Sequence, residues 1–316
     1  MNEPRTYEEL AGRVAIVAGG GGGIGRAVSR HLASLGVAVL VSDLGTSTDG
    51  QGRTTGPAAG VSQEIIAAGG RAAADHSDIS DWPAVDALVR RCLDEFGSVD
   101  VVINTAGVIR NGDLTTYSER DWTRHQSVHL DGHLNLLECV EPVMRKQRFG
   151  RVLFFTSGSG LLRSSSQLSA YGAGKRAIAA LVWRHGTSMP DGVTLNAVAP
   201  LAATRMHASR PRDRDETGVW SGADAMPPPE ALAPVVAALL LSRLSGRVWY
   251  TNGAEVSTVL PPRTVETVHL GSGPDRSELL TAAMSRILVP AAEAGATTGS
   301  SLPRLPLSTL FEEGSA

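Results

Sequence analysis

The sequence predicts one doubly wound α/β domain with a parallel sheet and helices on both faces. Short apolar segments alternate with amphipathic segments from near residue 13 to near residue 257, and no Pro/Ser-rich linker interrupts them. Repeated strand–helix–strand units need crossover connections, which make the strands parallel and cover both faces of the sheet with helices. The 316 residues, 42% of them hydrophobic, can fill a core of this size.

Periodicity gives the order of the elements. Continuous apolar runs, typical of buried parallel strands, are expected at 13–18, 37–42, 99–103, 151–156 and 193–198, with a last strand near Val248. Apolar residues spaced three or four apart predict helices at 24–35, 61–68, 82–96, 119–145, 168–189 and 229–242. Together these elements predict a domain spanning residues 1–260.

Three segments depart from this alternation. Residues 44–60 are rich in Gly, Ser and Thr and are expected to form a long loop. Residues 205–229 carry several arginines and a proline triplet, which fits either a solvated loop or a lid that closes on substrate. Residues 261–316 are expected to be a partly helical extension, with one helix near 278–288, that is flexible or lies at a subunit interface.

Composition narrows the classes of function. A net charge of −3 and a pI near 6.2 give no electrostatic reason to expect a nucleic acid or a membrane as partner. The polar start and the lack of a long apolar run predict a cytoplasmic protein. Cys92 and Cys139 lie in helix-like patterns without a metal or redox spacing, so we expect buried, reduced thiols and no metal site.

A glycine-rich segment, Val17-Ala-Gly-Gly-Gly-Gly-Gly-Ile-Gly-Arg26, follows the first predicted strand and opens the first helix. Glycines let the backbone approach a ligand closely, and a helix N-terminus directs N–H groups and a positive dipole at phosphate. The pattern predicts a dinucleotide site in a Rossmann-type domain. The alternative is merely a tight strand-to-helix turn.

The end of the second predicted strand indicates which dinucleotide. Asp43 lies about twenty residues beyond the glycines, where a carboxylate binds the adenosine ribose hydroxyls and repels a 2′-phosphate. Residues 19–23 contain no basic side chain that could receive such a phosphate. We therefore expect NAD, with NADP less favoured. A loop-capping aspartate is the alternative.

Tyr171 and Lys175 are four residues apart in a predicted helix, which puts a phenol and an ammonium on one face. A cation held beside a phenol favours the phenolate, so the pair could exchange a proton. The spacing alone is equally compatible with a lysine stem packed on a ring. The motifs around the pair favour the proton-transfer role.

The chain resembles the short-chain dehydrogenase/reductase family over roughly residues 10–260. The likeness rests on the glycines, on Ser77-Asp-Ile79, on Asn104-Thr-Ala-Gly107 and on Asn196-Ala-Val-Ala-Pro200. It departs from the usual pattern at Ala18, Thr105 and Leu201. The resemblance implies a cofactor site formed by Gly19, Gly23, Ile24, Gly25, Asp43, Asp78, Asn104, Ala106, Gly107, Tyr171, Lys175 and Thr204, with Asp78 on the adenine ring and Thr204 on the carboxamide.

The same resemblance implies the catalytic roles. Ser157 would hold the substrate oxygen, Tyr171 would act as general acid or base, and Lys175 would bind the nicotinamide ribose. The cofactor would supply or accept the hydride. His129 stands where the family commonly has an asparagine that helps to feed protons to the lysine; imidazole can also relay protons, and a packed helix histidine is the alternative.

A narrower likeness concerns residues 41–45, the loop around Asp49-Gly, residues 119–129 and residues 198–206. These segments are similar to the hydroxyacyl-CoA and 17β-hydroxysteroid dehydrogenase branch. The implication is an NAD-linked alcohol/ketone interconversion on a bulky apolar substrate such as a hydroxyacyl thioester or steroid, in a homodimer or homotetramer. Two alternatives stay open: a ketoreductase of a polyketide-like secondary metabolite, and a non-catalytic nucleotide-binding scaffold.

Overall fold

A computed structural model describes residues 6–112, 115–161, 168–208 and 226–262. Eight strands form one sheet in the order β3-β2-β1-β4-β5-β6-β7-β8. They are β1 (Val14–Ala18), β2 (Ala38–Ser42), β3 (Ala72–Asp75), β4 (Val101–Asn104), β5 (Gly150–Phe155), β6 (Val193–Pro200), β7 (Val248–Thr251) and β8 (Val256–Val259). All neighbours pair in parallel except β7 and β8, which pair antiparallel.

Nine α-helices are present in the described part of the chain. They are α1 (Gly23–Ser34), α2 (Gly56–Ala67), α3 (Trp82–Phe96), α4 (Glu119–Gln126), α5 (Gly132–Gln147), α6 (Gly158–Leu161), α7 (Ser169–His185), α8 (Arg205–Ala208) and α9 (Ala233–Leu241). A π-helical turn, Ser127–Asp131, joins α4 to α5. Among these described segments, no helix is both long and apolar enough to cross a bilayer.

The sheet separates two hydrophobic cores. Side chains of α1, α2 and α9 pack on one face, and side chains of α3, α5 and α7 pack on the other. The strand order reverses at β1, which pairs with β2 on one side and β4 on the other. In doubly wound sheets a crevice opens at the carboxyl ends of the strands beside such a reversal. The fold thus places a site where the glycine segment leaves β1.

The predicted fold class is confirmed, with differences in three elements. β3 was not predicted because its sequence, Ala-Ala-Ala-Asp, lacks the β-branched residues that favour strands. β8 was also missed, since it is short and half-exposed. The predicted helix 119–145 is interrupted by the π-helical turn, which apolar periodicity does not reveal.

Two other expectations are corrected. The loop predicted at 44–60 ends earlier, because Pro57 sits in the first turn of α2 and starts that helix at Gly56. Cys92 is buried as expected, but Cys139 is only partly buried. Burial raises the pKa of the Cys92 thiol to about 12 and that of Cys139 to about 11, so both stay protonated at neutral pH.

Most of the predicted lid and of the C-terminal extension lie outside the described residues. Of segment 205–229, the structure describes residues 205–208 and 226–229. Contacts divide the chain into two units, and the described residues up to Val259 belong to the first. Of the second unit, Leu260–Arg304, only residues 260–262 are described.

A buried carboxylate anchors the amino-terminal ends of the central strands. Asp100 accepts hydrogen bonds from the Val14 N–H at 2.9 Å, the Ser98 hydroxyl at 2.8 Å and the Arg13 guanidinium at 3.2 Å. Its side chain is 9% exposed in the ion pair with Arg13. The carboxylate therefore accepts hydrogen bonds from donors that would otherwise be buried without an acceptor at the start of β1.

Asp100→Ala should lower the free energy of unfolding by about 1–3 kcal/mol, because it leaves the buried Val14 N–H without an acceptor. Urea unfolding followed by circular dichroism measures this change. Asp94→Ala, on the exposed face of α3, is the matched control and should change stability little. Equal effects of the two substitutions would contradict the anchoring role.

Candidate active site

A cavity of about 690 Å³ opens at the carboxyl ends of the strands. Its wall includes residues of the glycine segment, the ends of β2 and β4, α4, α7 and the segment after β6. The sequence-predicted residues that line it are Gly19, Gly23, Ile24, Gly25, Asp43, Asp78, Ala106, Gly107, Tyr171, Lys175 and Thr204. Residues far apart in the sequence thus meet around one volume.

The glycine segment is shaped by close backbone approaches. Gly19 has φ +73°, and a Cβ on it would lie 2.6 Å from the Ala106 nitrogen. A Cβ on Gly25 would lie only 2.1 Å from the Gly19 carbonyl oxygen. Side chains at either position would fill or distort this turn, which leads directly into the N-terminus of α1. The cradle therefore fits a pyrophosphate, which helix N-termini bind.

Thr105 explains one departure from the usual family pattern. Its hydroxyl lies 2.9 Å from the Ala18 carbonyl oxygen and 3.1 Å from that of Gly19, and its backbone N–H also donates to Ala18. The threonine therefore ties the end of β4 to the glycine segment at the end of β1. A hydroxyl performs this contact without an asparagine amide.

Asp43 is held rigidly at the end of β2. One carboxylate oxygen accepts the Gly21 N–H at 2.9 Å and the other accepts the Gly45 N–H at 2.7 Å. Asp78 lies across the same region and accepts the N–H and hydroxyl of Ser80 at 3.0 and 2.6 Å. Each carboxylate oxygen has further lone pairs, so both groups can still accept hydrogen bonds from a ligand.

Tyr171 and Lys175 lie at the inner wall of the cavity. Tyr171 is 4% exposed and Lys175 is 3% exposed. The Lys175 ammonium donates to the Phe155 carbonyl oxygen at 2.7 Å and lies 5.9 Å from the centre of the Tyr171 ring. Burial lowers the pKa of Lys175 to about 7, so the amine can lose and regain its proton near neutral pH.

Three of the predicted residues, Ser157, Asn104 and His129, are not among those that line the cavity. Ser157 follows β5, is 7% exposed, and its hydroxyl accepts the Ser159 N–H at 3.2 Å. The Asn104 side chain is fully buried, and its carbonyl oxygen accepts the Ala106 N–H at 3.0 Å. Asn104 therefore shapes the turn that carries Ala106 and Gly107 rather than facing the cavity.

His129 lies in the π-helical turn and is fully buried. Its Nε2 is 2.7 Å from the Val108 carbonyl oxygen, and its ring lies 5.2 Å from the Tyr171 ring, edge to face. The Val108 N–H also lies 3.4 Å from Nε2, and the shorter contact, to the carbonyl oxygen, favours a proton on Nε2. Burial and the Lys175 charge hold the pKa of His129 well below its usual range, so the ring is neutral.

The structure adds two features that the sequence did not indicate. Arg205, at the start of α8, lines the cavity, and a Cβ on Gly22 would lie 3.1 Å from its guanidinium. Its position at the edge of the predicted lid gave no sign that it faces the glycine segment. His133 is fully buried in α5, one turn after His129. The four-residue spacing of the two histidines is the one sequence signal that could have indicated this.

A family model described as short chain dehydrogenase matches residues 13–215. The chain therefore belongs to the short-chain dehydrogenase/reductase family, whose members are oxidoreductases that act on CH–OH groups with a nicotinamide cofactor. Members of this family take small-molecule substrates and are commonly oligomeric.

Specific relatives agree with this assignment. The chain is 35% identical over 260 residues to a protein described as a short-chain type dehydrogenase/reductase of Mycobacterium tuberculosis, an alignment covering 78% of this chain and 84% of that protein. It is 34% identical over 233 residues to the peroxisomal hydratase-dehydrogenase-epimerase of Neurospora crassa, covering 72% of this chain but only 24% of that much longer protein.

Among solved structures, the chain is similar to a short chain dehydrogenase from Mycobacterium avium. The TM-score is 0.73 at 30% sequence identity, and the match covers 94% of this chain and 98% of the other. The topology of this chain is therefore that of a known short chain dehydrogenase.

Gly25→Ala should weaken NADH binding roughly tenfold or more, because the added methyl would collide with the Gly19 carbonyl and overpacking costs about 1–3 kcal/mol. Fluorescence titration measures the Kd. Gly60→Ala, inside α2, is the matched control, since a Cβ there meets nothing within 4 Å. Equal Kd values for both variants and the wild type would mean that the glycine segment does not hold the cofactor.

Proposed function

We propose that the protein is an NAD(H)-dependent oxidoreductase that interconverts a secondary alcohol and a ketone on a bulky apolar substrate. One observation carries the proposal: Tyr171 and Lys175 share one face of α7, and both line the cavity that begins at the glycine segment. A phenol beside an amine that titrates near neutral pH is suited to general acid–base catalysis.

The residues of the cavity fit a nicotinamide dinucleotide. The glycine segment and the N-terminus of α1 would bind the pyrophosphate, while Asp43 and Asp78 would hold the adenosine end. Arg205 faces Gly22 and would add a positive charge beside the pyrophosphate. Lys175 and Thr204 would contact the nicotinamide end. When bound, the nicotinamide supplies or accepts the hydride.

Residues of the protein itself would transfer the proton. Tyr171 would donate a proton to a carbonyl oxygen during reduction, or take one from an alcohol during oxidation. The Ser157 hydroxyl, which follows Thr156 of the cavity wall, would hold the same substrate oxygen. Lys175 would bind the nicotinamide ribose and keep a positive charge close to the Tyr171 ring, which is 5.9 Å from the ammonium.

Asp43 supports the preference for NAD over NADP. Its two hydrogen bonds to backbone N–H groups fix the carboxylate at the end of β2, so it cannot swing away from an incoming 2′-phosphate. A fixed negative charge would repel that phosphate and accept hydrogen bonds from the ribose hydroxyls of NAD. Arg205 lies beside Gly22, where its charge would serve the pyrophosphate.

The substrate class rests on similarity and on the cavity wall. The segments 41–45, 119–129 and 198–206 resemble the hydroxyacyl-CoA and hydroxysteroid dehydrogenase branch, and the last of them includes Met206, which lines the cavity. The Neurospora relative carries a dehydrogenase activity in its name, although this chain spans 24% of it. A hydroxyacyl thioester or a steroid-like alcohol is therefore the proposed substrate, and 205–229 the proposed lid.

Tyr171→Phe should reduce turnover by at least about 10²-fold, since general acid–base groups typically contribute that much. Absorbance of NADH, followed with a panel of hydroxyacyl thioesters, steroids and polyketide-like ketones, measures the rate. Tyr7→Phe is the matched control. Tyr7 lies in the amino-terminal segment, its hydroxyl donates to the Pro234 carbonyl oxygen, and it is not among the residues that line the cavity.

Normal turnover by the Phe variant would remove Tyr171 from the mechanism. NADH binding without wild-type turnover on any member of the panel would instead favour a nucleotide-binding scaffold. Turnover confined to polyketide-like ketones would favour a ketoreductase of secondary metabolism.

Asp43→Ala should weaken NADH binding more than NADPH binding, because it removes both the ribose acceptor and the charge that repels a 2′-phosphate. The two Kd values for each protein give the selectivity. Any general loosening of the Gly21 and Gly45 contacts affects both cofactors, so it cancels in the ratio. An unchanged ratio would show that Asp43 does not select the cofactor.

A further inference from the structure

The short helix α6 begins directly after Ser157, the residue proposed to hold the substrate oxygen. The Ser157 hydroxyl oxygen accepts the Ser159 N–H at 3.2 Å, and the Ser157 carbonyl oxygen accepts the N–H groups of Gly160 and Leu161 at 2.9 and 3.2 Å. Because the hydroxyl is the acceptor in its bond to Ser159, it keeps its own proton for a substrate. The position of that hydroxyl therefore depends on how α6 is held.

The sequence of α6 gives it little stability of its own. The helix is a single turn of four residues, and two of them, Gly158 and Gly160, are glycines. A helix this short is not stable in water by itself, and glycine adds to the entropy lost when the turn forms. Contacts from outside α6 must therefore fix this turn.

The neighbouring helix α7 supplies those contacts through its backbone. A Cβ on Gly160 would lie 2.6 Å from the Arg176 nitrogen and 2.8 Å from the Lys175 carbonyl carbon. A Cβ on Gly172, in the first part of α7, would lie 3.0 Å from the Ser159 carbonyl oxygen. The two helices thus meet backbone to backbone at glycines, where a side chain would separate them.

The residues before Ser157 are bound to the same turn of α7. The Thr156 hydroxyl donates to the Lys175 carbonyl oxygen at 2.5 Å, and the Lys175 ammonium donates to the Phe155 carbonyl oxygen at 2.7 Å. The end of β5 is therefore fixed to the helix that carries Lys175 and Tyr171. The part of the segment that follows Ser157 needs an anchor of its own.

Arg176 provides this second anchor. Its Nη1 donates to the carbonyl oxygens of Gly160 and Leu161, each at 3.1 Å. These carbonyls lie at the carboxyl end of α6, where a helix has no partners of its own for them. The guanidinium also lies 5.9 Å from the centre of the Trp183 ring, two turns further along α7. Arg176 is thus held on α7 and closes the end of α6.

We propose that Arg176 is a positioning residue for the reaction. It fixes α6 on α7, so that the Ser157 hydroxyl and the Tyr171 phenol, which lies on the same helix as Arg176, meet at one substrate oxygen. The proposal rests on the proposed function, in which Ser157 holds that oxygen. Arg176 is not among the residues that line the cavity, so it acts through α6 and not by contact with substrate or cofactor.

The first test is Arg176→Met, which removes both hydrogen bonds and keeps a long side chain beside Trp183. We expect kcat to fall about tenfold or more, because a small misplacement of a group at the reacting atoms can lower the rate by up to about 10²-fold. The Kd of NADH should stay that of the wild type. Steady-state rates are measured with the panel substrate that the wild type turns over. Arg176→Lys, which keeps one donor group, should restore part of kcat.

The decisive comparison repeats the substitution in the Ser157→Ala protein. If Arg176 acts through Ser157, removing the hydroxyl also removes the effect of the arginine, so the double variant should be little slower than Ser157→Ala alone. An equal fractional loss of kcat in both backgrounds would overturn the proposal, because Arg176 would then act through general stability or through the cofactor site.

Arg184→Met is the matched control, since it makes the same substitution on an exposed residue in the last turn of α7, outside the residues that line the cavity. Its kcat should equal that of the wild type. Gly160→Ala is a second variant for the case in which Arg176→Met does not fold. Its added methyl should push α6 away from the Arg176 nitrogen and lower kcat, again only when Ser157 is present.

Wild-type kcat in Arg176→Met would overturn the proposal and leave the proposed function standing. If only Gly160→Ala folds, wild-type kcat in that variant would overturn it equally. Failure of the wild-type protein to turn over any member of the panel would overturn the proposed function, and this inference with it.

Discussion

The burial of one amine, that of Lys175, is the constraint on which the site depends. Placing an ammonium out of water is costly, and this one has the Phe155 carbonyl as an acceptor at 2.7 Å. The cost appears as a pKa lowered to about 7. The same burial brings the amine beside Tyr171 and at the wall of the cavity, where a bound nicotinamide ribose would supply further acceptors. A group that destabilises the empty fold thus becomes useful once the cofactor binds.

Two side chains of the site, Thr105 and His129, differ from the usual family pattern. Thr105 holds the glycine segment through its hydroxyl, as an asparagine amide otherwise could. His129 stands where the family commonly has an asparagine; its Nε2 contacts both backbone groups of Val108, and its Nδ1 has no hydrogen-bond partner among the described residues. The π-helical turn sets this orientation by widening the helix where His129 sits.

The sequence predicted most of the fold and the wall of the cavity, because these depend on local signals. Apolar runs marked the strands, and glycines after β1 marked the crevice. Predictions failed where local signals are weak: β3 is almost all alanine, and the π-helical turn leaves apolar periodicity intact. The surroundings of His133, and the approach of Arg205 to Gly22, depend on residues brought together only by packing, so no spacing could reveal them.

The central claim, that Lys175 is buried with a pKa near 7, is tested most directly by the free energy of unfolding of the wild type and Lys175→Met as a function of pH. The folded-state pKa of about 7 lies below the ordinary lysine value of 10.5, so the unfolded chain binds more protons between these two pH values. Wild-type stability should therefore rise relative to the variant as pH increases from 7 towards 10. The stability advantage of Met should be greatest at pH 7 and shrink steadily above it. A difference between the two proteins that stays constant over this range would contradict the account.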